Sequence, residues 1–570
     1  MRPSFSCKVS RDSLMSDLPR PRRLSQGVKK IIADPWMFGI FALLTLGVLI
    51  FAIWPILSVL RLALSGTEQG FGAALLERLT SPLVLRAFGN TLLLGALSAV
   101  AATVTGFILA FALTRTNMAG KRFVHLVSLL PVISPPFVIA LAMILLFGRS
   151  GLVTKQVLGI KDANIYGLHS LVFIQALAFT PIAYLNIRGM LQAMDSALED
   201  AAAMLRASQW TIFRRITLPL SMPAILSSML LVFVKSIEDF GNPLVIGGNF
   251  NTLAVEAYSQ LIGYFDLQAG ALLASVLLLP SLLAFMVHRY WVSKRSYVTV
   301  TGKPATQNIR ITKRIAVWPL AAFCYALTGL IVLLYGTVVW VSFTKIPGIN
   351  WSFTFDHYLK IYANGLIPLW NSLTLSAFAT PVVTLLGVLI AYLLARRSFP
   401  GAWILRFGTL LAFAAPGTII GIGYVSVFNT APLLLTGTAF IIVAAMVVKT
   451  LQVGIEAGTN QIRQVDPAIE EAAAVLGASN TRIFTRVTLP LLKPALFASM
   501  AYAFTRSLTT LSAVIFLVSA QWSLITVTIL NQVETMRMGL AAAYSVILIL
   551  LVLGVLAVMQ LLLGRSHNQR

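Results

Sequence analysis

The sequence predicts an all-α polytopic membrane protein with about twelve transmembrane helices, arranged as two tandem six-helix repeats. Of its 570 residues, 58% are hydrophobic and only 11% are charged, and the mean hydropathy is +0.86. Soluble domains carry about 25% charged residues, whereas runs of about 20 apolar residues are typical of membrane-spanning helices. Such runs recur along the whole chain, and one polar stretch between them occurs twice.

Basic residues indicate which loops of this topology face the cytoplasm. Lys and Arg are concentrated in the tails and in alternate short loops, as the positive-inside rule requires. The formal net charge of +24 therefore indicates a cytoplasmic membrane face and no nucleic-acid partner. The predicted parts are a basic cytoplasmic tail at 1–30, a first six-span half at 31–288, a basic cytoplasmic connector at 289–314, a second six-span half at 315–563 and a cytoplasmic C-terminal tail at 564–570.

Six apolar runs in each half predict the spans. The runs of the first half lie at roughly 36–64, 88–114, 123–147, 168–192, 222–247 and 269–288. Those of the second half lie at roughly 315–342, 369–395, 403–428, 435–457, 493–518 and 539–563. Prolines in the third and ninth spans indicate either kinks or ordinary packing positions. They are Pro131, Pro135-Pro136 and Pro416-Gly417.

The repeated polar stretch is predicted to be a helix–loop–helix at 195–220 and again at 466–491. Two acidic residues and three alanines open each copy, and Leu-Pro closes it at the same offset. Acidic residues suit the positive end of a helix dipole, and alanine favours a helix with a small face that a partner can approach. Asp466-Pro467 is a good helix start, because Asp caps free N–H groups and Pro suits the first helical position.

This pattern resembles the EAA loop of bacterial ABC importer permeases, which reads Glu-Ala-Ala, three residues, Gly, nine residues, Ile-x-Leu-Pro. The second copy fits with Gly477, and Val487 replaces Ile. The first copy has Asp200 for Glu and Arg206 for Gly. With Asp239-Phe-Gly-x-Pro243 in the first half and Ser512-Ala-Val-Ile-Phe-Leu in the second, the duplicated chain looks like the ferric-iron permease family. That family also contains importers of organophosphates and of phosphonates such as 2-aminoethylphosphonate.

The resemblance implies the transmembrane permease subunit of a binding-protein-dependent import complex. The chain would lie in the bacterial inner membrane as a multi-pass protein with both termini in the cytoplasm. Its partners would be two ABC ATPase subunits, a periplasmic substrate-binding protein, the lipid bilayer and a small anionic or ferric substrate. The implied ATPase-coupling residues are Glu199, Asp200, Ala201, Ala202, Arg206, Leu218 and Pro219 in the first copy, and Glu470, Glu471, Ala472, Ala473, Gly477, Leu489 and Pro490 in the second.

The chain itself is not expected to be an enzyme or to hold a cofactor. It contains no G-x-x-x-x-G-K-[ST] phosphate loop, so ATP hydrolysis is expected from a partner subunit. No metal site is expected either, because the five histidines are scattered and the two cysteines, Cys7 and Cys324, are far apart.

Charges inside the predicted fifth span indicate a translocation path. Lys235 would lie about 18 Å along the helix from Pro223, and a charge at that depth is expensive and usually functional. The offset that relates the two EAA copies maps Lys235 to Arg506. The predicted path residues are Lys235, Glu238, Asp239, Arg506, Thr509 and Thr510. The alternative is local neutralisation, with Lys235 paired to Glu238 at i+3 or to Asp239 at i+4.

Membrane-embedded cations favour an anionic cargo, which fits a phosphonate, a sugar phosphate or ferric ion carried with an anion. The competing class is a secondary transporter, since twelve spans in two halves also describe the major facilitator architecture. Against that class, the loop at 114–122 lacks the family's acidic-basic signature, and a facilitator has no use for two matched EAA insertions.

The topology predicts that the N-terminal tail, the connector around Lys303 and the C-terminal tail face the cytoplasm. A single cysteine placed at each of these sites in a cysteine-free background should resist an impermeant thiol reagent added outside intact cells. Labelling of the connector under these conditions would contradict the twelve-span topology.

Overall fold

A computed structural model describes residues 35–65, 80–135, 137–160, 164–194, 197–288, 290, 314–396 and 401–567. The predicted N-terminal tail and nearly all of the connector lie outside the described residues. So do the first two residues of the first EAA loop, Pro136 and the last three residues of the C-terminal tail. The predicted boundaries between the parts of the chain therefore stay predictions.

The first half is helical, and several of its helices continue through a π-helical turn. The helices are α1 (Pro35–Val48), α2 (Trp54–Leu64), α3 (Pro82–Arg115), α4 (Lys121–Ser128), α5 (Leu130–Ile133), α6 (Val138–Phe147), α7 (Leu168–Ala193), α8 (Ala197–Met204), α9 (Gln209–Ile212), α10 (Leu218–Ile237), α11 (Gly241–Ile246), α12 (Leu253–Tyr258) and α13 (Leu267–Val287). The π-helical turns are Leu49–Ile53, Leu152–Val157, Phe213–Thr217 and Ser259–Gly263.

The second half repeats this layout and adds one antiparallel hairpin, β1 (Thr344–Ile346) with β2 (Asn350–Phe353). Its helices are α14 (Arg314–Ser342), α15 (Asp356–Asn364), α16 (Leu366–Arg396), α17 (Ala402–Ala414), α18 (Gly417–Phe428), α19 (Ala439–Gln464), α20 (Pro467–Val475), α21 (Asn480–Ile483), α22 (Leu489–Leu491), α23 (Lys493–Thr509), α24 (Ile525–Glu534) and α25 (Met538–His567). A π-helical turn, Phe484–Thr488, joins α21 to α22.

The predicted fold class is confirmed. Within the described ranges, ten helices are long and apolar enough to cross a membrane. Two further helix pairs pass the same test but are bent: α17 with α18 by 112°, and Thr481–Leu491 with Leu496–Thr509 by 75°. Counting each bent pair as one span gives up to twelve. The break between α17 and α18 falls at Pro416, where a kink was one of the two expectations, because Pro lacks the N–H that a continuous helix needs.

Several predicted spans are shorter or more broken than the apolar runs indicate. The run at 123–147 is divided into α4, α5 and α6 around Pro131 and Pro135. The run at 222–247 ends as a helix at Ile237, and α11 begins separately at Gly241. Between them, the Asp239 carboxylate accepts the backbone N–H of Asn242 at 3.4 Å. The run at 493–518 likewise ends as a helix at Thr509. The break in the third span was one of the two expectations for its prolines. The breaks after Ile237 and Thr509 were missed, because hydropathy reports burial in the membrane and not helix continuity.

The first helices of each half pack on the opposite half. Helix α2 lies against α18, and α14 lies against α4 and α6. Hydrogen bonds fix both crossings: Tyr424 Oη donates to the Phe51 carbonyl at 2.8 Å, and the hydroxyls of Ser134 and Tyr335 lie 2.5 Å apart. The two halves are therefore interlocked, and their inner faces stay in contact.

The centre of each half is a matched three-helix group, α3 with α7 and α10 in the first half and α16 with α19 and α23 in the second. Glycine permits the closest crossing in each group. A Cβ on Gly106 would lie 2.8 Å from the Tyr184 backbone N, and one on Gly387 would lie 2.8 Å from the Gly454 backbone. Small residues at such crossings let helix backbones approach closely inside a membrane.

Candidate functional site

Each EAA loop is a short helix, a tight turn and a second short helix that leads into a long helix. In the first copy α8 leads through α9 to α10, and in the second α20 leads through α21 and α22 to α23. The Asp466 carboxylate accepts the Ala468 N–H at 2.9 Å, which confirms the predicted helix start. The helix–loop–helix form predicted for both copies is also confirmed.

A buried glutamate anchors each loop to the body of its own half. Glu199 Oε1 lies 3.3 Å from Arg115 Nη2 and accepts a hydrogen bond from Thr217 Oγ1 at 2.8 Å. Arg115 ends α3, Glu199 lies on α8, and Thr217 immediately precedes α10. The contact therefore joins three elements of the first half at a single carboxylate.

The second half repeats this anchor residue for residue. Glu470 Oε1 lies 3.5 Å from Arg396 Nε and accepts a hydrogen bond from Thr488 Oγ1 at 3.0 Å. Arg396 also donates to the Val465 carbonyl at 2.7 Å. Sequence reasoning assigned both arginines only to the positive cytoplasmic loops. The available signal was that each one ends the second span of its half, at matched positions.

The other predicted coupling residues divide between the anchor side and the open side of the loop. Leu218-Pro219 and Leu489-Pro490 begin the helices that follow the anchor threonines. The alanines and the second acidic residues, Asp200 and Glu471, lie on the more accessible side. The structure thus groups the residues of each copy in one loop but gives only Glu199 and Glu470 a place in the anchor.

The position where the family pattern has glycine adopts the left-handed backbone conformation in both copies. Gly477 has φ +78°, which suits glycine, and Arg206 has φ +59°, which costs a non-glycine residue about 1–2 kcal/mol. The first loop therefore keeps the turn of the second despite the substitution. A Cβ at Gly477 would meet nothing within 4 Å, so this side of the turn is open.

Two apolar side chains protrude from the tip of each EAA loop. Met204 and Leu205 are each 84% exposed, and at the matching positions Val475 is 88% and Leu476 is 87% exposed. Single exposed apolar residues are common, but here an exposed pair is repeated at matched positions in two polar loops. Sequence analysis did not single out these four residues.

The six predicted path residues line one cavity of about 160 Å³, where the two halves meet. Four helices end or break around it: α10 at Ile237, α23 at Thr509, and α17 and α18 at Pro416. Lys235 and Arg506 each lie in the last turn of a helix, where the dipole favours a cation. Interrupted helices of this kind form substrate sites in many transporters.

Lys235 has a carboxylate partner on its own helix and an aromatic partner on the other half. Its Nζ lies 2.9 Å from Glu238 Oε2, so the i+3 pairing is present. It also lies 5.5 Å from the centre of the Phe413 ring. Asp239 is not its partner, because that carboxylate accepts hydrogen bonds from Gln175 Nε2 at 2.9 Å and Asn242 Nδ2 at 2.7 Å. The i+4 pairing considered from the sequence is therefore wrong.

Lys449 is a cavity residue that sequence reasoning missed. It projects from α19, and its Nζ lies 3.9 Å from Glu238 Oε1 of the first half. It donates to the Ala415 carbonyl at 2.6 Å, an acceptor at the break between α17 and α18. The corresponding residue of the first half is Ala178, so matching the two halves gave no signal. A lysine inside the predicted span 435–457 was the available clue.

Arg506 interacts with a tyrosine on its own helix. Its Nε donates to Tyr502 Oη at 3.2 Å, and its guanidinium lies 5.7 Å from the centre of the same ring. Among the residues that the structure describes, no carboxylate forms an ion pair with Arg506. The described residues also contain no group of three His, Cys, Asp or Glu side chains that could hold a metal ion.

Comparison with known proteins gives the family. The sequence profile described as "Binding-protein-dependent transport system inner membrane component" matches residues 102–297 and again 384–567. The two matches cover more than half of the chain and include both EAA loops and all six path residues. The chain belongs to this family. Membership removes the secondary-transporter alternative and confirms the ABC-type permease class.

Two relatives with long matches carry names from iron transport. The chain is 34% identical over 565 residues to the ferric transport system permease protein FbpB of Actinobacillus pleuropneumoniae, covering 95% of this chain and 80% of the relative. It is also 34% identical over 521 residues to the putative ferric transport system permease protein FbpB 1 of Haemophilus influenzae, covering 87% and 79%. The molybdenum transport system permease protein ModB of H. influenzae matches over 195 residues at 33% identity, covering 33% of this chain and 83% of that shorter protein.

The two anchors should differ in their contribution to stability. The Arg115–Glu199 side chains are 3% and 4% exposed, whereas those of Arg396–Glu470 are 16% and 14% exposed. Removing one partner of a buried pair leaves an orphan charge and costs about 3–5 kcal/mol. We expect Arg115→Met to lower the free energy of unfolding in a detergent denaturation titration by that amount, and Arg396→Met by clearly less.

An exposed arginine in α4 provides the matched control, since Arg122→Met removes a charge from the same set of loops without breaking an anchor. The double variant Arg115→Met/Glu199→Met should recover part of the lost stability, because no orphan charge remains. Equal losses for Arg115→Met and Arg122→Met would contradict the anchor assignment.

Proposed function

We propose that this chain forms the substrate pathway of an ABC importer of the inner membrane and binds two separate ATPase subunits, one at each EAA loop. The observation that carries the proposal is the pair of matched, anchored loops with exposed apolar tips. A periplasmic substrate-binding protein delivers the cargo on the opposite side. Both termini of the chain lie in the cytoplasm with the loops.

The ATPase docking surface consists of the open side of each loop. Its parts are the alanine face, the second acidic residue, and the protruding apolar pair at the tip. Apolar side chains exposed at 84% or more in a water-facing loop are stabilised when a partner covers them. The small alanine face lets the partner backbone approach, and the acidic residue gives it a charged rim.

The anchors connect docking to the pathway. Glu199 accepts a hydrogen bond from Thr217, and the helix that begins beside Thr217 ends beside Lys235. In the second half, Glu470 accepts from Thr488, and the helices that follow lead to Arg506. Movement of a loop is thereby transmitted along a helix to the cavity. Closure of the ATPase dimer on ATP would push the two loops together and rock the halves between inward-open and outward-open states.

The cargo is a small anion, or ferric iron carried with an anion. The iron-transport names of the relatives support the ferric cargo. The three basic side chains around the cavity support an anion, including a phosphonate or an organophosphate. The two views agree if ferric ion crosses together with a counter-anion. Uptake assays with the cognate binding protein, loaded in turn with ferric iron and with 2-aminoethylphosphonate, distinguish these cargos.

The docking proposal is tested at the left-handed turn of each loop. We expect Gly477→Arg to uncouple ATP hydrolysis from uptake more severely than Arg206→Gly does. A Cβ at Gly477 would meet nothing within 4 Å, so a side chain there starts into open space on the side where a partner would dock. The measurements are ATPase co-purification and the ratio of ATP hydrolysed to cargo imported in proteoliposomes.

Gly477→Ala is the matched control. It carries the same backbone penalty of about 1–2 kcal/mol as other non-glycine residues in this conformation but lacks a long side chain. Uncoupling by Gly477→Arg and not by Gly477→Ala supports docking. Negligible effects of Gly477→Arg and Arg206→Gly alike would reject the docking assignment.

The path proposal is tested at Arg506. We expect Arg506→Met to lower uptake by at least about tenfold, which corresponds to about 1.4 kcal/mol, because the cation that attracts the anion is gone. Complex assembly and expression should stay normal. Tyr502→Phe is the control, since it removes the hydroxyl that Arg506 contacts but keeps both the ring and the charge. Normal uptake by Arg506→Met would leave Arg506 a structural residue.

A further inference from the structure

The cavity between the halves contains one carboxylate among three cations, once the fully bonded Asp239 is set aside. Glu238 is only 8% exposed and lies between two lysines, with Oε2 at 2.9 Å from Lys235 and Oε1 at 3.9 Å from Lys449. Arg506 lines the same cavity from the second half. The three cations exceed the available negative charge, so the cavity carries a net positive charge.

The two oxygens of Glu238 are bound unequally. Oε2 accepts a hydrogen bond from Lys235 of the same half. Oε1 is buried and has no hydrogen-bond partner among the described residues, since Lys449 is too far for one. A carboxylate oxygen aimed at a cation across 3.9 Å is an incomplete interaction, and a better acceptor in the cavity can replace it.

We propose that Glu238 is a built-in counter-ion that holds the place of an anionic substrate in the empty pathway. A small oxyanion that enters the cavity displaces the Glu238 carboxylate from Lys449 and binds Lys449 and Arg506, with Lys235 at its edge. This inference rests on the proposed transport function and assigns its substrate class and its exchange step.

Charge and space both favour an oxyanion as the occupant. Buried cations without a counter-charge are costly in a membrane, so the cavity needs a negative group both before and after cargo binding. A volume of about 160 Å³ is several times the roughly 10–15 Å³ that one water needs by the same measure, so the cavity has room for a small oxyanion. A bare metal cation would instead be repelled by all three basic side chains.

The comparison of the halves supports a specific role for Glu238. In the second half its position is taken by Thr509, although the neighbouring cation is kept as Arg506. A carboxylate needed only to neutralise its own helix would be needed beside Arg506 as well. Instead the single carboxylate faces Lys449 of the opposite half, so its release changes a contact between the halves.

The test measures binding of methylphosphonate to the complex of this chain with its ATPase subunits, purified in detergent without nucleotide. Methylphosphonate is a small oxyanion, and its ³¹P resonance is separate from those of phospholipids, so line broadening during a titration reports binding. Glu238→Gln removes the competing carboxylate and should bind methylphosphonate about tenfold more tightly than the unmodified complex. Lys449→Gln should bind at least about tenfold more weakly.

Two control variants make the result specific. Glu256→Gln removes a carboxylate outside the cavity, whose partner is Asn251, and should bind as the unmodified complex does. Glu238→Asp keeps the charge on a shorter side chain and should fall between Glu238→Gln and the unmodified complex. Co-purification of the ATPase subunits and their ATP hydrolysis do not depend on this exchange. Failure of the ATPase subunits to co-purify would therefore count against the proposed function and not against the role of Glu238.

Weaker or unchanged methylphosphonate binding by Glu238→Gln would overturn the proposal, as would the absence of binding by both this variant and the unmodified complex. Tight binding of ferric ion that Glu238→Gln abolishes would also overturn it, because Glu238 would then be a cation ligand. Persistence of full methylphosphonate binding in Lys449→Gln would remove the cross-half contact from the mechanism.

Discussion

The arrangement of this protein depends on one glutamate per half, held between an arginine and a threonine. Glu199 and Glu470 each connect the end of the second span, the EAA loop and the start of the fifth span. A polar loop between apolar helices has little apolar surface of its own with which to pack. A charged, hydrogen-bonded contact gives the loop a defined position. Pulling the glutamate away from its arginine would leave an uncompensated charge, so the loop resists displacement.

The anchor threonines, Thr217 and Thr488, immediately precede the helices that run from each loop towards the cavity. Helix α10 runs from Leu218 to Ile237 without an intervening break, and it ends beside Glu238, which approaches Lys449 of the second half. At the other side of the cavity, the helix is broken at Pro416, and the Ala415 carbonyl accepts a hydrogen bond from Lys449. A continuous helix thus leads from the first loop to the cavity, whereas the matching path in the second half bends by 75° between Thr481–Leu491 and Leu496–Thr509.

The features that could be predicted from the sequence were those with a local or repeated signal. Hydropathy gave the spans, and the repeated Glu-Ala-Ala stretch gave the loops. The internal offset that maps Lys235 to Arg506 brought together six residues that line a single cavity. Contacts between distant segments had no such signal: the arginines of the anchors looked like ordinary loop charges, and Lys449 has no counterpart in the first half. The helix ends at Ile237 and Thr509 were missed because both lie inside continuous apolar runs, where hydropathy carries no signal for a break.

The comparison of the two halves separates general machinery from cargo-specific chemistry. The anchors, the left-handed turns, the exposed apolar tips and the close glycine crossings are duplicated, as expected for features that serve a need common to both halves. At the cavity, by contrast, the halves differ: Glu238 corresponds to Thr509, and Lys449 corresponds to Ala178. An internal twofold cavity would present equal charges from both sides. A small oxyanion can be bound by unequal walls, which would hold it in one orientation. In the proposed exchange, the Glu238 carboxylate neutralises the cations again after the oxyanion leaves.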